Sequence, residues 1–354
     1  MNPYAFITNS YGLVFLIILL ENKIDNPLSF LLVYSRYIMF CCHSRGMNME
    51  FNQLEYVVEV ADTGNFSKAA ENLYYSQPAL TQQIGKLEKE LGIQLFHRAH
   101  GSVSLTEAGS TFIKYAHNIL LNKNDALSAM NDFAQNQTGS ITVLLPMERG
   151  GKILSEFFPK FHKKFPGIVM NAIQTSVHRQ LNRISRGAAD LGFVLLPDTS
   201  ELGGIDYHVL TTEPFLFAVS RSNPLSYGSA NRDTPTRDLP VCNFDQLSQA
   251  GYALTQPFTS SNKMVMDFFA ALDINPNIML YSNTNVSTRE FVRNNIACSI
   301  LPSWYRAFDE EIAYFRLPKD LNWSMYAIWK KGHYRTNASF LTENLITDYL
   351  ECRE

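Results

Sequence analysis

The chain has 354 residues, with 46% hydrophobic content and 30 Lys and Arg against 33 Asp and Glu. That length suits two or three domains, and the net charge of −3 excludes a polybasic nucleic-acid tail and a strongly acidic solvating chain. The apolar share excludes disorder, and a mean hydropathy of −0.11 excludes a polytopic membrane protein; five cysteines form no disulfide framework, so a reducing, cytoplasmic compartment is the default.

Two apolar runs open the chain, LVFLIILL at 13–20 and SFLLVYSRYIMFCC at 29–42. Neither reaches the ~20 residues that span a bilayer. No Lys or Arg precedes the first run, as a secretory signal would require. A membrane anchor is the alternative reading. The expectation is that 1–46 is an extension upstream of a start at Met47 or Met49, with no membrane partner. Cys41-Cys42 would be a palmitoylation candidate only in a membrane-bound segment.

Ordered patterning begins after Met49. Leu54, Val57, Val58 and Ala61 mark one buried face of a helix over 52–63. Gly64-Asn65 breaks it, and after Phe66-Ser67 the residues Ala69, Ala70 and Leu73 suggest a short second helix before a Tyr74-Tyr75 turn. Ser76 suits an N-cap and Pro78 a first helical turn. The third helix then carries an apolar stripe of Leu80, Ile84, Leu87 and Leu91. Its opposite face holds Gln77, Pro78, Thr81, Gln82 and Gly85, flanked by Lys86 and Lys89. Amides and hydroxyls of this kind read base edges in a major groove; an ordinary solvated face is the alternative. Val103 and Leu105 beyond Gly101-Ser102 suggest a β-wing, and Thr106–Gly109 starts another helix.

That next helix carries Phe112, Ala116, Ile119, Leu127, Met130 and Phe133 on one stripe. At ~28 residues it would span ~42 Å. Pairing with a second copy of itself is expected; packing on its own downstream domain is the alternative. A polar hinge at 135–139 ends it.

From residue 139 strands and helices alternate. Strands are expected at 141–145, 168–173 and 191–195, with a helix through Ile153, Leu154, Phe157, Phe158 and Phe161 and another through Leu181 and Ile184, ended by Gly187. This order predicts a parallel sheet with helices on its faces. Phe215–Val219 opens a second lobe, with helices at 265–272 and 286–294 and strands at 278–281 and 299–301. A strand at 325–329 and a helix over 336–351 close the chain. No His or Cys cluster has metal-site spacing, Gly150-Gly151-Lys152 is no P-loop, and no nucleophile elbow is present, so no cofactor, metal or catalytic residue is assigned. Cys242 and Cys298 are either buried thiols or a redox pair.

FSKAA (66–70), SQPALTQQI (76–84), LE (87–88), LG (91–92), LFHR (95–98) and LTEAG (105–109) together resemble the winged helix-turn-helix of LysR-type transcriptional regulators. Downstream, FHKKFPGI (161–168), the Gly187…Asp190-Leu191 phrase, Asn223-Pro224-Leu225 and Leu301-Pro302 resemble the effector-binding domain of the same family. The sequence departs from the family pattern at Gly101, often basic there, and at Asn295-Ile296-Ala297, where a glycine pair is common.

The resemblance implies an α/β chain overall. Its parts are an N-terminal extension (1–46), a winged helix-turn-helix (47–107), a linker helix (108–137) and a two-lobed α/β effector-binding domain (138–354) similar to periplasmic binding proteins. Lobe I would comprise 138–212 and 310–354, and lobe II 213–309. The implied recognition helix begins at Gln77. Gln77, Pro78, Thr81 and Gln82 would face bases, while Ser67, Lys68, Ser76, Lys86, Arg98 and His100 would touch backbone or the wing's groove. Residues 49–110 hold four Lys or Arg against eight Asp or Glu, a net of −4, so a modest affinity and a shallow salt slope are expected.

In such two-lobed units the ligand sits at strand C-terminal ends and helix N-termini. That selects Pro146, Met147, Glu148, Arg149, Thr175, Ser176 and Phe193 from one lobe. Thr259, Ser260, Asn283 and Thr284 face them from the other. Hydroxyls and free N–H groups there suit an organic anion. The implied partners are double-stranded DNA bearing an interrupted inverted repeat, a small-molecule effector, further copies of the chain as homodimer and homotetramer, and RNA polymerase. The competing function class is a solute-binding protein or enzyme with structural N-terminal helices.

Overall fold

The computed structural model describes residues 49–99, 102–134, 138–308 and 310–352. The extension with its apolar runs and Cys41-Cys42, the tip His100-Gly101 and hinge residues 135–137 lie outside the described residues. Among the described residues no helix is long and apolar enough to cross a membrane. Two compact units divide between Leu120 and Leu121.

The N-terminal unit contains α1 (Phe51–Thr63), α2 (Phe66–Asn72), α3 (Gln77–Leu91), β1 (Phe96–Ala99), β2 (Ser102–Leu105) and the start of α4 (Glu107–Phe133). Each early helix begins on a polar side chain that satisfies orphan N–H groups. Glu50 and Gln53 form a capping box for α1, Asn65 accepts from the N–H groups of Ser67 and Lys68, and Ser76 accepts from that of Ala79. Gly64 and Gly92 close α1 and α3 at φ +62° and +68°, left-handed values that glycine takes without strain. Leu54, Val57, Val60, Ala69, Ala70, Leu80, Ile84, Leu87, Leu95 and Phe96 make the core. Tyr56 and Val60 are buried beside Leu54 and Val57; of the other expected residues Ala61 packs half-buried against the core and Val58 is half-buried. The wing is anchored to α3 by Glu88, whose Oε1 accepts from the backbone N–H of Leu95 (2.8 Å) and Phe96 (3.2 Å).

In the second unit the strands are β3 (Thr138–Pro146), β4 (Gly167–Thr175), β5 (Leu191–Leu196), β6 (Ile205–Ser220), β7 (Gly251–Thr255), β8 (Asn277–Ser282), β9 (Ser299–Pro302), β10 (Ile312–Arg316) and β11 (Asn322–Lys330). The helices are α5 (Gly150–Lys164), α6 (Val177–Ser185), α7 (Phe244–Gln249), α8 (Ser260–Ala270), α9 (Asn285–Arg293) and α10 (Asn337–Glu351). The main sheet runs β10-β6-β11-β5-β3-β4, with β9 also paired to β6. The parallel arrangement expected of the first three strands holds, within a sheet that is mixed as a whole. β4, β3 and β5 are parallel, but β11 pairs antiparallel with both β5 and β6. The reason is that β6 is one 16-residue strand: its first part pairs with β11, and Leu216–Ser220 pair with β10.

One apolar cluster runs through the unit, from Val143, Phe157 and Phe193 to Phe217, Tyr252 and Phe269. At the non-glycine departure Asn295 adopts φ +55° and its Oδ1 accepts from Asn223 Nδ2 at 2.9 Å. Asparagine tolerates that left-handed region, so the turn forms without a glycine. The second half of α4 belongs to this unit. Asp125 accepts from Tyr334 N and lies 2.7 Å from His333 Nδ1, while Asp132 accepts from Asn337 N and the Tyr334 hydroxyl. Tyr115, Leu127, Met130 and Phe133 remain exposed.

Candidate functional site

The third helix presents the residues read as DNA-facing. Gln77, Pro78, Gln82 and Lys86 are exposed, and Thr81 is half-buried. The opposite side of the same helix, Leu80, Ile84 and Leu87, is locked in the core. Ser67, on α2, donates to Gln77 Oε1 at 3.1 Å, which fixes the Gln77 amide at the start of α3. Lys68 and Ser76 are exposed beside it. Arg98 pairs through its backbone with Val103 in the wing, and His100 lies outside the described residues. Three of the head's acids are engaged within it. Glu88 is spent on the wing, Glu59 accepts from Asn72, and Glu90 lies 4.0 Å from Lys86.

In the second unit Pro146, Met147, Glu148 and Arg149 follow β3 as expected, but adjacent side chains take opposite tasks. Glu148 Oε2 accepts from Asn285 N at 2.9 Å, at the start of α9, and from the Tyr305 hydroxyl at 2.8 Å. Arg149 turns inward and is 3% exposed, with its Nη1 2.6 Å from Glu213 Oε1. Its guanidinium carbon stands 4.9 Å from the Trp304 ring, 5.2 Å from Tyr305 and 5.3 Å from Trp323. Burial opposes its charge, yet Glu213 and Tyr305 outweigh that and raise its pKa. Burial, with the Glu148 carboxylate, raises that of Tyr305 against the opposing pull of Arg149. Glu213 also accepts from the Trp323 indole N–H and from Trp304 N.

Helix N-termini supply the other expected residues. Thr259 caps α8 through Asn262 N, and Thr284 caps α9 through Ser287 N. Ser261 donates to Asn285 Oδ1 at 3.5 Å, so the starts of α8 and α9 adjoin. A hollow of about 470 Å³ is lined by Thr259, Ser260, Lys263 and Met266. Ser176 and Asn283 are exposed, Met147 is exposed, and Thr175 is buried with its carbonyl accepting from Gln180. Phe193 corrects the expectation. It is fully buried in the core cluster and lines no rim, because β5 is covered on both faces. Arg149 likewise offers no free charge.

Glu213, Trp304, Tyr305 and Trp323 escaped the sequence reading. The available signal was Glu213 itself, a carboxylate set directly before the apolar run Pro214–Val219. A cavity of about 870 Å³ opens beside Glu213 and Trp304, along Thr234, Arg306, Lys319 and Asp320. Cys242 and Cys298 are buried, and burial pushes each thiol up to about 12.

Residues 51–110 match the bacterial regulatory helix-turn-helix protein, lysR family, and residues 134–341 match the LysR substrate binding domain. Among curated relatives, the uncharacterized HTH-type transcriptional regulator YcgK of Bacillus subtilis (strain 168) is 26% identical over 81% of this chain and 90% of its own. The Hca operon transcriptional activator HcaR of Escherichia coli (strain K12) is 28% identical over 80% of this chain and 93% of its own. A full-length OxyR variant from Pseudomonas aeruginosa shares the fold with a TM-score of 0.62 at 20% identity, covering 85% of this chain and 98% of its own. CbnR, a LysR family transcriptional regulator, shares it with a TM-score of 0.52 at 22% identity, covering 85% and 99%. The chain belongs to the LysR family of bacterial transcriptional regulators, which join a DNA-binding helix-turn-helix to a substrate-binding domain.

Proposed function

We propose that this regulator reads an interrupted inverted repeat of duplex DNA with two heads and adjusts its grip through a small molecule held in the second unit. The observation that carries the DNA reading is the outer face of α3. Gln77, held by Ser67, is exposed together with Pro78 and Gln82, next to a partly open Thr81. Glutamine pairs with adenine edges and threonine meets a thymine methyl, at about 1–3 kcal/mol of discrimination per good contact. Ser67, Lys68, Ser76, Lys86, Arg98 and His100 contact the sugar–phosphate backbone or the adjoining groove.

Two subunits pair through α4, whose Leu127, Met130 and Phe133 are exposed in the single chain. Dimers associate further as tetramers that bend DNA. The second unit divides into lobes at 138–212 with 310–354 and at 213–309. Its effector binds where the loop after β3 meets the starts of α6, α8 and α9, on Pro146, Met147, Ser176, Thr259, Ser260, Asn283 and Thr284. Effector binding shifts the assembly by a coupling of ~1–3 kcal/mol, and RNA polymerase reads the altered promoter.

Replacing Gln77 and Thr81 together by Ala tests the DNA reading. Specific promoter binding is expected to disappear while circular dichroism stays unchanged. Undiminished binding by that double variant overturns it, and favours a solute-binding role.

A further inference from the structure

Glu148 sits where a bound carboxylate would. Its Oε2 accepts from Asn285 N at 2.9 Å, from Val286 N at 3.4 Å and from the Tyr305 hydroxyl at 2.8 Å. Its Oε1 accepts from the Asn285 amide at 3.4 Å. Two of these donors are the first N–H groups of the nine-residue α9, where the helix dipole favours negative charge. The third is a phenol buried to 4% exposure, and the fourth is an amide within reach of Ser261. Thr284, the helix cap, spends its side chain on Ser287 and leaves these donors to Glu148.

The neighbouring cation does not soften the site toward a visiting anion. Arg149 is paired with Glu213 inside a ring of aromatic faces, and its other terminal nitrogen, Nη2, is buried without an acceptor. An anion approaching the start of α9 therefore meets a seated carboxylate and a cation already neutralised.

We propose that the start of α9 is a monocarboxylate-binding site that the chain fills with its own Glu148. Glu148 acts as a built-in competitor. An external carboxylate reaches the four donors only in the fraction of molecules in which Glu148 has swung out, so its apparent affinity falls by that fraction. Because Glu148 follows β3 while its donors belong to α9 and to the segment after β9, the seated side chain also fastens those parts together. Exchange of Glu148 for an effector carboxylate releases that fastening. The regulatory meaning rests on the proposed effector site; the carboxylate site itself does not.

Thermal unfolding of the full-length protein without DNA tests this, with acetate and formate as probes against chloride at equal ionic strength. Glu148→Ala is expected to melt about 2–5 °C lower than the wild type. Acetate should restore at least half of that loss in Glu148→Ala and leave the wild type unmoved. Glu148→Gln, whose amide still fills the donors, should melt between the two and respond little. A Glu148→Ala protein that folds only in acetate supports the proposal, and one that folds in neither salt overturns it. So does an acetate shift equal in wild type and variant, or none in either. Failure here removes the carboxylate site alone. Failure of the effector reading shows separately, as an acetate-responsive Glu148→Ala whose DNA footprint does not change with acetate.

Discussion

Arg149 Nη1 lies 2.6 Å from Glu213 Oε1, in a pair whose side chains are 3% and 12% exposed. Three aromatic rings stand within 5.3 Å of the guanidinium carbon and take the place of water. Removing one member leaves the other charged and buried, so Arg149→Met and Glu213→Gln are each expected to cost about 3–5 kcal/mol. Urea unfolding followed by tryptophan fluorescence measures this, with Trp304 and Trp323 next to the pair. The double variant Arg149→Met with Glu213→Leu should recover part of the loss. Midpoints equal to wild type in the single variants would contradict a structural role.

The charge of the head makes a second prediction. Its cations are Lys68, Lys86, Lys89 and Arg98, against eight carboxylates over 49–110. Glu88 and Glu59 are used within the head, on the backbone of Leu95 and the amide of Asn72. At about 0.9 per neutralised phosphate, the log–log salt slope should be no steeper than roughly −4 per head. A gel-shift series from about 50 to 200 mM salt reads it, and Lys68→Ala should flatten the slope by about 0.9. A steeper slope would mean that phosphate contacts come from outside the head.

The head was the most legible part of the chain, because its information is local. The break at Gly64-Asn65 ends α1, Ser76 caps the helix that it precedes, and Leu80, Ile84 and Leu87 face the core as their spacing requires. The family and the mixed helix–strand content were legible as well. The path of β6 was not: Phe215–Val219 reads as a short strand, yet the strand starts at Ile205, since the upstream residues Tyr207–Thr212 alternate too weakly to announce themselves. Strands β7 and β10 are likewise not among the expected ones. In the second unit the turn after β3 and the starts of α8 and α9 fall where the sequence puts them, but the direction of their side chains is not legible. Nothing in Glu148-Arg149 says that one turns to α9 and the other to Glu213, 64 positions downstream. Such pairings are set by tertiary packing and carry no periodic signature.

The linker helix separates two roles that can be tested independently. Asp125 and Asp132 bind the 333–337 segment of the same unit, whereas Leu127, Met130 and Phe133 are 57%, 59% and 79% exposed. Burying an apolar side chain stabilises by about 1.5–3 kcal/mol, and a two-fold interface counts each side chain twice. Leu127→Glu with Met130→Glu should therefore weaken self-association by about a hundredfold or more, seen by light scattering over a dilution series. Asp125→Asn with Asp132→Asn should leave association intact and lower the melting temperature. Association unaffected by the glutamates would place the subunit contact elsewhere.

Cysteine chemistry gives the last prediction. Cys242 and Cys298 are each 2% exposed, and burial holds both thiols at about 12. Burial favours the neutral thiol, so the thiolate fraction falls as the pKa rises. At pH 8 about one molecule in ten thousand carries the reactive thiolate at either position, and that thiolate is enclosed. Both lie near Tyr252, whose own ionisation is suppressed first by burial and then by these neighbours. Native protein treated with iodoacetamide should therefore label at the exposed Cys352 while Cys242 and Cys298 stay unmodified, and all three should label in urea. Peptide mass mapping reads the outcome. A disulfide switch between Cys242 and Cys298 would require early labelling of at least one of them, or a melting temperature that changes with dithiothreitol; the buried thiols predict neither.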